Sequence, residues 1–203
     1  MEELLLKSSE DKFPSNWSRD GRFVMYTARD AKKKYQLWTL PLEGDRKPMP
    51  FPRTDFNEFD GHFSPDARLV AYVSDEYGSN DIYVRGFSPS NEAASSGAGS
   101  KWRISKEGGA APRWCKDGKQ LYYRTTDGKV MVVDIEAGAV FSAGIPRLVF
   151  QAPPVFQMGG ESFIFLQWDV ASDSKKFLLV APAAESAPTS ITVVLNWMGL
   201  LKK

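Results

Sequence analysis

A short pattern returns along this chain at near-regular intervals, and no other feature restricts the fold as much. It reads Asn16-Trp17-Ser18-Arg19-Asp20-Gly21-Arg22-Phe23-Val24-Met25-Tyr26 at its first occurrence and His62-Phe63-Ser64-Pro65-Asp66-Ala67-Arg68-Leu69-Val70-Ala71-Tyr72 at its second. The third is Arg113-Trp114-Cys115-Lys116-Asp117-Gly118-Lys119-Gln120-Leu121-Tyr122-Tyr123, and a worn copy runs Asp169-Val170-Ala171-Ser172-Asp173-Ser174-Lys175-Lys176-Phe177-Leu178. The shared aspartates stand at 20, 66, 117 and 173, which spaces the units 46, 51 and 56 residues apart. Such a period belongs to propeller blades or to a solenoid. Each unit consists of β-branched and aromatic runs separated by Gly, Pro, Asp and Ser, without sustained 3.6-residue periodicity. That pattern excludes helical solenoids and makes each unit a small antiparallel sheet.

The first unit predicts strands at 14–18, 22–27, 35–42 and 47–51. Pro48 and Pro50 cannot donate to a ladder, so the last of these is an outer edge strand. Arg19-Asp20-Gly21 supplies the first turn, with an Asp that bonds its own backbone and a Gly open to positive φ. The second unit gives 59–64, 68–74, 81–87 and 101–104, and the third 111–115, 119–125, 129–135 and 147–150. The fourth offers only 163–169, 177–181 and 191–197, whereas residues 2–6 form an apolar run that belongs to no unit. The expectation is therefore an all-β fold, a β-propeller of four four-stranded antiparallel blades. The blades cover about 13–52, 59–105, 110–150 and 161–197, and residues 2–6 complete the last one and close the ring. The whole chain, 1–203, then forms one domain, as a monomer or as a homodimer in which a second copy completes the ring. An arc of a larger ring is the further alternative. Segments 88–100 and 152–161 fit no strand and read as long surface loops, where binding often resides.

Charge and residue chemistry exclude several functions. Lys plus Arg number 26 against 25 for Asp plus Glu, so no overall field draws in nucleic acid or an anionic membrane. Lys32-Lys33-Lys34 reads as solvated loop charge. No apolar run approaches the roughly 20 residues that cross a bilayer, and Met1-Glu2-Glu3 lacks the opening of a signal peptide, so the chain is expected to be soluble. The single cysteine, Cys115, stands where sister units carry Ser18 and Ser64, and reads as a small strand residue. One histidine and one cysteine cannot supply a zinc site, and there is no Gly-x-Ser-x-Gly elbow. Gly97-Ala98-Gly99-Ser100 and Gly108-Gly109 match neither phosphate-binding fingerprint. Asp75-Glu76-Tyr77-Gly78-Ser79-Asn80-Asp81 lacks the positional pattern of a calcium loop and reads as a hairpin turn. No cofactor is expected.

Equivalent aromatics recur in successive units: Trp17, Phe63 and Trp114; Tyr26, Tyr72 and Tyr123; Trp38 and Tyr83. They are expected to pack between sheets. The residue preceding the first set is polar every time: Asn16, His62, Arg113 and, in the worn copy, Asp169. One such residue per blade near the axis makes a candidate binding ring at the channel mouth. The alternative is that the four only satisfy the unpaired edges of the innermost strands.

The run Ser64-Pro65-Asp66-Ala67-Arg68-Leu69-Val70-Ala71-Tyr72-Val73-Ser74-Asp75, followed by Asn80-Asp81-Ile82-Tyr83-Val84, resembles the TolB-like, WD-like β-propeller repeat. Glu3-Leu4-Leu5-Leu6-Lys7-Ser8, Leu37-Trp38, Leu42-Glu43-Gly44-Asp45 and Ile191-Thr192-Val193-Val194-Leu195-Asn196-Trp197 look like the carboxy-terminal propeller of bacterial eukaryotic-like Ser/Thr protein kinases. In those proteins a kinase domain and a membrane span precede a propeller that acts as sensor or scaffold, and the propellers commonly have six or more blades. The resemblance implies a non-enzymatic module that binds a protein or peptide partner, extracytoplasmic if it is the sensor end of a membrane-anchored kinase. The alternative is the accessory propeller of a serine peptidase of the prolyl oligopeptidase kind, which requires an adjoining catalytic domain. A stand-alone hydrolase or lyase would need clustered acids or metal ligands on one face.

Overall fold

The turn chemistry of the repeat builds the first hairpin of each sheet. Ser18 Oγ donates to Asp20 Oδ1 (2.7 Å) and accepts from the Phe23 amide (2.9 Å), while Asp20 Oδ1 accepts from the Arg22 amide (3.1 Å). Ser64 and Asp66 reproduce these bonds with Leu69 and Arg68. In the third unit the Cys115 thiol takes the serine's place, donating to Asp117 and accepting from the Gln120 amide. The turn ends on a positive-φ residue, Gly21 and Gly118 in two units but Ala67 and Ser174 in the others, where a Cβ makes the conformation more costly.

The computed structural model describes residues 3–32, 34–51, 54–88, 100–138, 140–152, 168–180 and, as backbone only, 192–195. Strands β1 (Asp11–Trp17), β2 (Phe23–Arg29), β3 (Tyr35–Pro41) and β4 (Met49–Pro50) form the first antiparallel sheet in that order. Its proline-bearing outer strand shrinks to two residues. The second sheet contains β5 (Glu58–Phe63), β6 (Leu69–Ser74), β7 (Asp81–Gly86) and β8 (Lys101–Arg103). The third contains β9 (Ala110–Trp114), β10 (Gln120–Arg124) and β11 (Lys129–Ala137). Its outer position is shared by two strands along the long β11: β13 (Arg147–Gln151) pairs with 129–132 and the unforeseen β12 (Phe141–Ala143) with 135–137. The fourth holds β14 (Trp168–Val170), β15 (Lys176–Leu179) and β16 (Thr192–Leu195). The expected loops 88–100 and 152–161 lie almost wholly outside the described residues, as do 163–167 of the predicted inner strand.

Consecutive sheets pack face to face. Met25, Leu37, Phe63, Val70, Tyr72 and Tyr83 fill the space between the first and second. Ala71, Val73, Ile82, Leu121, Tyr123 and Val133 fill the next, and Tyr122, Val130, Val132, Trp168, Phe177 and Leu179 the last. Phe63 and Trp114 therefore lie at inter-sheet seams as expected. Trp17 does not: it is 59% exposed, because no described sheet precedes the first. Closure of the ring is not shown among the described residues. Residues 3–6 adopt no strand, and the fourth sheet has three strands among the described residues. Instead Leu6 leans on the outward face of the first sheet, against the Tyr26, Ala28 and Leu40 cluster, and Glu3 pairs with Arg46. Of this apolar run only Leu6 finds a face, while Leu4 and Leu5 stay exposed.

Glu58, at the start of β5, is 1% exposed. Burial pushes its carboxyl up to about 8, only partly offset by the Thr54 hydroxyl and by the charges of Lys101 and Arg85. The folded state therefore holds a proton between about pH 4.5 and 8 that the unfolded chain has released. Unfolding free energy must then fall as pH rises across that window, by up to about 1.4 kcal/mol per unit. Urea denaturation of Glu58→Gln should be flatter between pH 5 and 8 than wild type, and the variant should be the more stable protein at pH 8.

Candidate functional site

The inner strands are not regular, and their irregularity aims the site. In β1 the register slips between Pro14 and Asn16, opposite Tyr26. In β5 the two residues Asp60 and Gly61 face the single Tyr72, and in β9 Ala111 and Pro112 face the single Tyr123. Each of these three blades thus carries a β-bulge opposite its repeat tyrosine, immediately before the polar ring position. A bulge bends its strand and redirects the side chains that follow. Asp60 and Ala111 take positive φ, 51° and 54°, to make it. Gly61 lets β5 lie close to the first sheet, since a Cβ there would meet Met25 Cγ at 3.0 Å and Leu37 Cδ2 at 3.1 Å.

The result brings all four predicted residues together. Asn16, His62, Arg113 and Asp169 line one cavity of about 370 Å³, with Ser15, Trp17, Arg19, Phe63, Ser64, Pro65, Trp114 and Trp168. The expected edge-satisfying role is present as well. Asn16 Oδ1 accepts from the Phe63 amide (3.1 Å), and Arg113 Nε donates to the Trp168 carbonyl (3.1 Å). Indoles do the same: Trp114 Nε1 donates to the His62 carbonyl (3.0 Å) and Trp168 Nε1 to the Ala111 carbonyl (2.9 Å). Ser15 Oγ donates to the Gly61 carbonyl (2.8 Å). Asp169, exposed, accepts from the Val170 amide. Across the mouth, Arg19 Nη1 reaches from the first blade to the Lys116 carbonyl of the third (2.8 Å).

Below the cavity lies a buried carboxylate absent from the predicted set. Asp60 Oδ1 stands 3.0 Å from His62 Nε2 and 3.7 Å from Arg113 Nη1, and that guanidinium nitrogen is 2.7 Å from the same imidazole nitrogen. Burial would push Asp60 up, but Arg113 and His62 outweigh it and hold the carboxyl below its ordinary range. Burial and Arg113 hold His62 below its usual value against the pull of Asp60, so the imidazole is neutral at neutral pH. Trp168 and Asp60 escaped the reading by repeat position because each stands before the polar ring residue: Trp168 by one place, Asp60 by two. The Asp60-Gly61 pair inside a strand pattern was the available sign of a bulge. Among the described residues no three His, Cys, Asp or Glu side chains gather to hold a metal ion.

No family model and no curated protein sequence matches the chain. Solved structures do. TolB from Acinetobacter baumannii superposes with a TM-score of 0.66 at 17% identity over 96% of this chain and 43% of its own. The fold is that of TolB-like and other β-propeller domains. A puromycin-hydrolyzing peptidase of Mycobacterium tuberculosis gives 0.56 at 21% identity, covering 87% of this chain and 28% of the other. The periplasmic gluconolactonase of Pseudomonas aeruginosa gives 0.54 at 16%, covering 89% and 56%. The chain thus spans between about a quarter and just over half the length of these proteins, and at such identities the likeness concerns fold alone. Among the described residues, no helix is long and apolar enough to cross a membrane.

Because the β5 bulge sets both Asp60 and His62, crowding it should disturb fold and site together. Gly61→Val should lower the urea midpoint by an amount equivalent to about 1–3 kcal/mol and shift the ring resonances of His62, whereas Gly86→Val, at an open position, should leave both unchanged.

Proposed function

We propose that the chain is a non-enzymatic binding or sensor propeller that receives a protein or peptide partner at the mouth lined by Asn16, His62, Arg113 and Asp169. The observation that supports this is the convergence of one polar residue from each of four blades on a single cavity, beside an indole, Trp17, left in solvent. Amphipathic aromatics at a polar rim suit partner recognition. Catalysis by His62 is disfavoured by its surroundings. Its ring is buried, its Nε2 is hemmed in by Asp60 at 3.0 Å and Arg113 at 2.7 Å, and the pocket holds no Cys or Lys nucleophile. Ser15 and Ser64 are committed to the Gly61 carbonyl and to Asp66. Association with a signalling kinase rests on the resemblance of residues 3–8, 37–38, 42–45 and 191–197 to kinase-borne propellers.

A photo-crosslinking amino acid at position 17 tests it. In the native host it should capture a protein partner that the same group at Tyr77 does not, because Tyr77 lies in the β6–β7 turn at the opposite end of the sheets. Equal capture at both positions, capture at neither, or a hydrolytic or lyase activity lost in His62→Gln would contradict the proposal.

A further inference from the structure

The cavity's unmatched chemistry is cationic. Arg113 is held in place by carbonyls, Nε on that of Trp168 and Nη1 on that of Pro112 (2.8 Å). Its carboxylate neighbour, Asp60, lies 3.7 Å from Nη1, beyond hydrogen-bond distance. Arg19 at the rim has a carbonyl partner, Lys116, and no ion pair among the described residues. Two guanidinium groups thus line a small cavity whose lining includes one carboxylate, that of Asp169, which is exposed and already accepts from the Val170 amide.

His62 sharpens the point. Nε2 carries either a proton or a lone pair, so it cannot donate to Asp60 and accept from Arg113 at once. If it donates to Asp60 at 3.0 Å, Arg113 Nη1 faces an N–H at 2.7 Å; if it accepts from Arg113, its lone pair faces the Asp60 carboxylate. An oxygen acceptor entering the cavity relieves the conflict by drawing the Arg113 hydrogen to itself and leaving Nε2–H to Asp60. A negatively charged, planar acceptor does so best, because guanidinium forks match carboxylates in geometry and charge. The lining itself sets two guanidinium groups, Arg19 and Arg113, against the one carboxylate of Asp169, and that single surplus positive charge favours one negative charge over two.

Resting on the reading of the mouth as a binding site, we propose that this cavity takes a single carboxylate group, gripped by Arg113 from the floor and Arg19 from the rim, with the apolar neighbour of that carboxylate against Trp17 and Trp114. The carboxylate comes from a peptide C-terminus or from a free organic acid. A cavity of about 370 Å³ falls at the small end of ligand sites and admits one residue or a molecule of that size.

Tryptophan fluorescence and calorimetric titrations of the full chain with four probes test this: Gly-Ala-Phe with a free C-terminus, its C-terminal amide, 3-phenylpropionate and 3-phenylpropionamide. At least one acid should bind at least about tenfold more tightly than its amide. Arg19→Gln, an exposed rim substitution, should weaken that acid by about tenfold and leave the melting temperature unchanged. Arg113→Gln should abolish acid binding; should it fail to fold, Arg113→Lys, which keeps the charge but loses the fork, should still weaken the acid. Binding of the peptide acid alone assigns a chain terminus as the source, and comparable binding of both acids assigns a free acid. Silence of both acids up to about 10 mM, equal affinity of acid and amide, or indifference to Arg19→Gln would overturn the carboxylate grip. A partner crosslinked at position 17 under any of those outcomes would leave the binding-module reading standing.

Discussion

The β-bulge opposite the repeat tyrosine is the constraint on which the site depends. A regular inner strand would send the residues at 16, 62 and 113 to the wrong face, because side chains alternate with a period of two. One extra residue resets the alternation, so in the second and third blades the aromatic that follows, Phe63 or Trp114, still meets the seam while the polar residue before it turns toward the cavity. The conformational cost is carried by Asp60 and Ala111 at positive φ, and it is offset by seams of fully buried side chains such as Tyr72, Leu121 and Phe177. Rigid seams then fix the cavity walls to within the tolerance that hydrogen bonds demand.

The same inner strands have no sheet neighbour on the axial side, and their backbone groups need partners. Side chains from adjacent blades provide them: Asn16 to Phe63, Trp114 to His62, Arg113 to Trp168, and Trp168 to Ala111. Edge satisfaction and a polar cavity are therefore not rival accounts of the ring. Structural bonds hold Asn16 and Arg113 in fixed poses, and the poses preorganise whatever polar capacity remains. Asp60 deepens this by anchoring His62 and Arg113 in a medium where charge interactions are only weakly screened.

Much of this was legible before any coordinates. The repeat pointed to four sheets, the turn around its shared aspartate to their first hairpins, and the repeat position before Trp17, Phe63, Trp114 and Val170 to four of the residues that line the cavity, because all three are local patterns repeated in register. What escaped was set by long-range choice. Residues 2–6 read as a strand from composition, yet which surface an apolar run covers depends on what the rest of the chain offers, and Leu6 found a face. Strand β12 exists because β11 outlasts β13, a length no local pattern encodes. Trp17 matched Phe63 and Trp114 by position but had no preceding sheet to bury it. Asp60 aligned with Pro14 and Ala111, so repeat position disguised the one buried acid of the site.

The chain contains a single histidine, which makes the heart of the account directly readable. Nuclear magnetic resonance of the ring-labelled protein reports His62 alone. If bulge, carboxylate and guanidinium meet as described, the ring stays neutral well below pH 6.5, and Arg113→Gln raises its titration toward the ordinary value. A ring that titrates near 6.5 in the wild type and ignores the Arg113 substitution would contradict the arrangement.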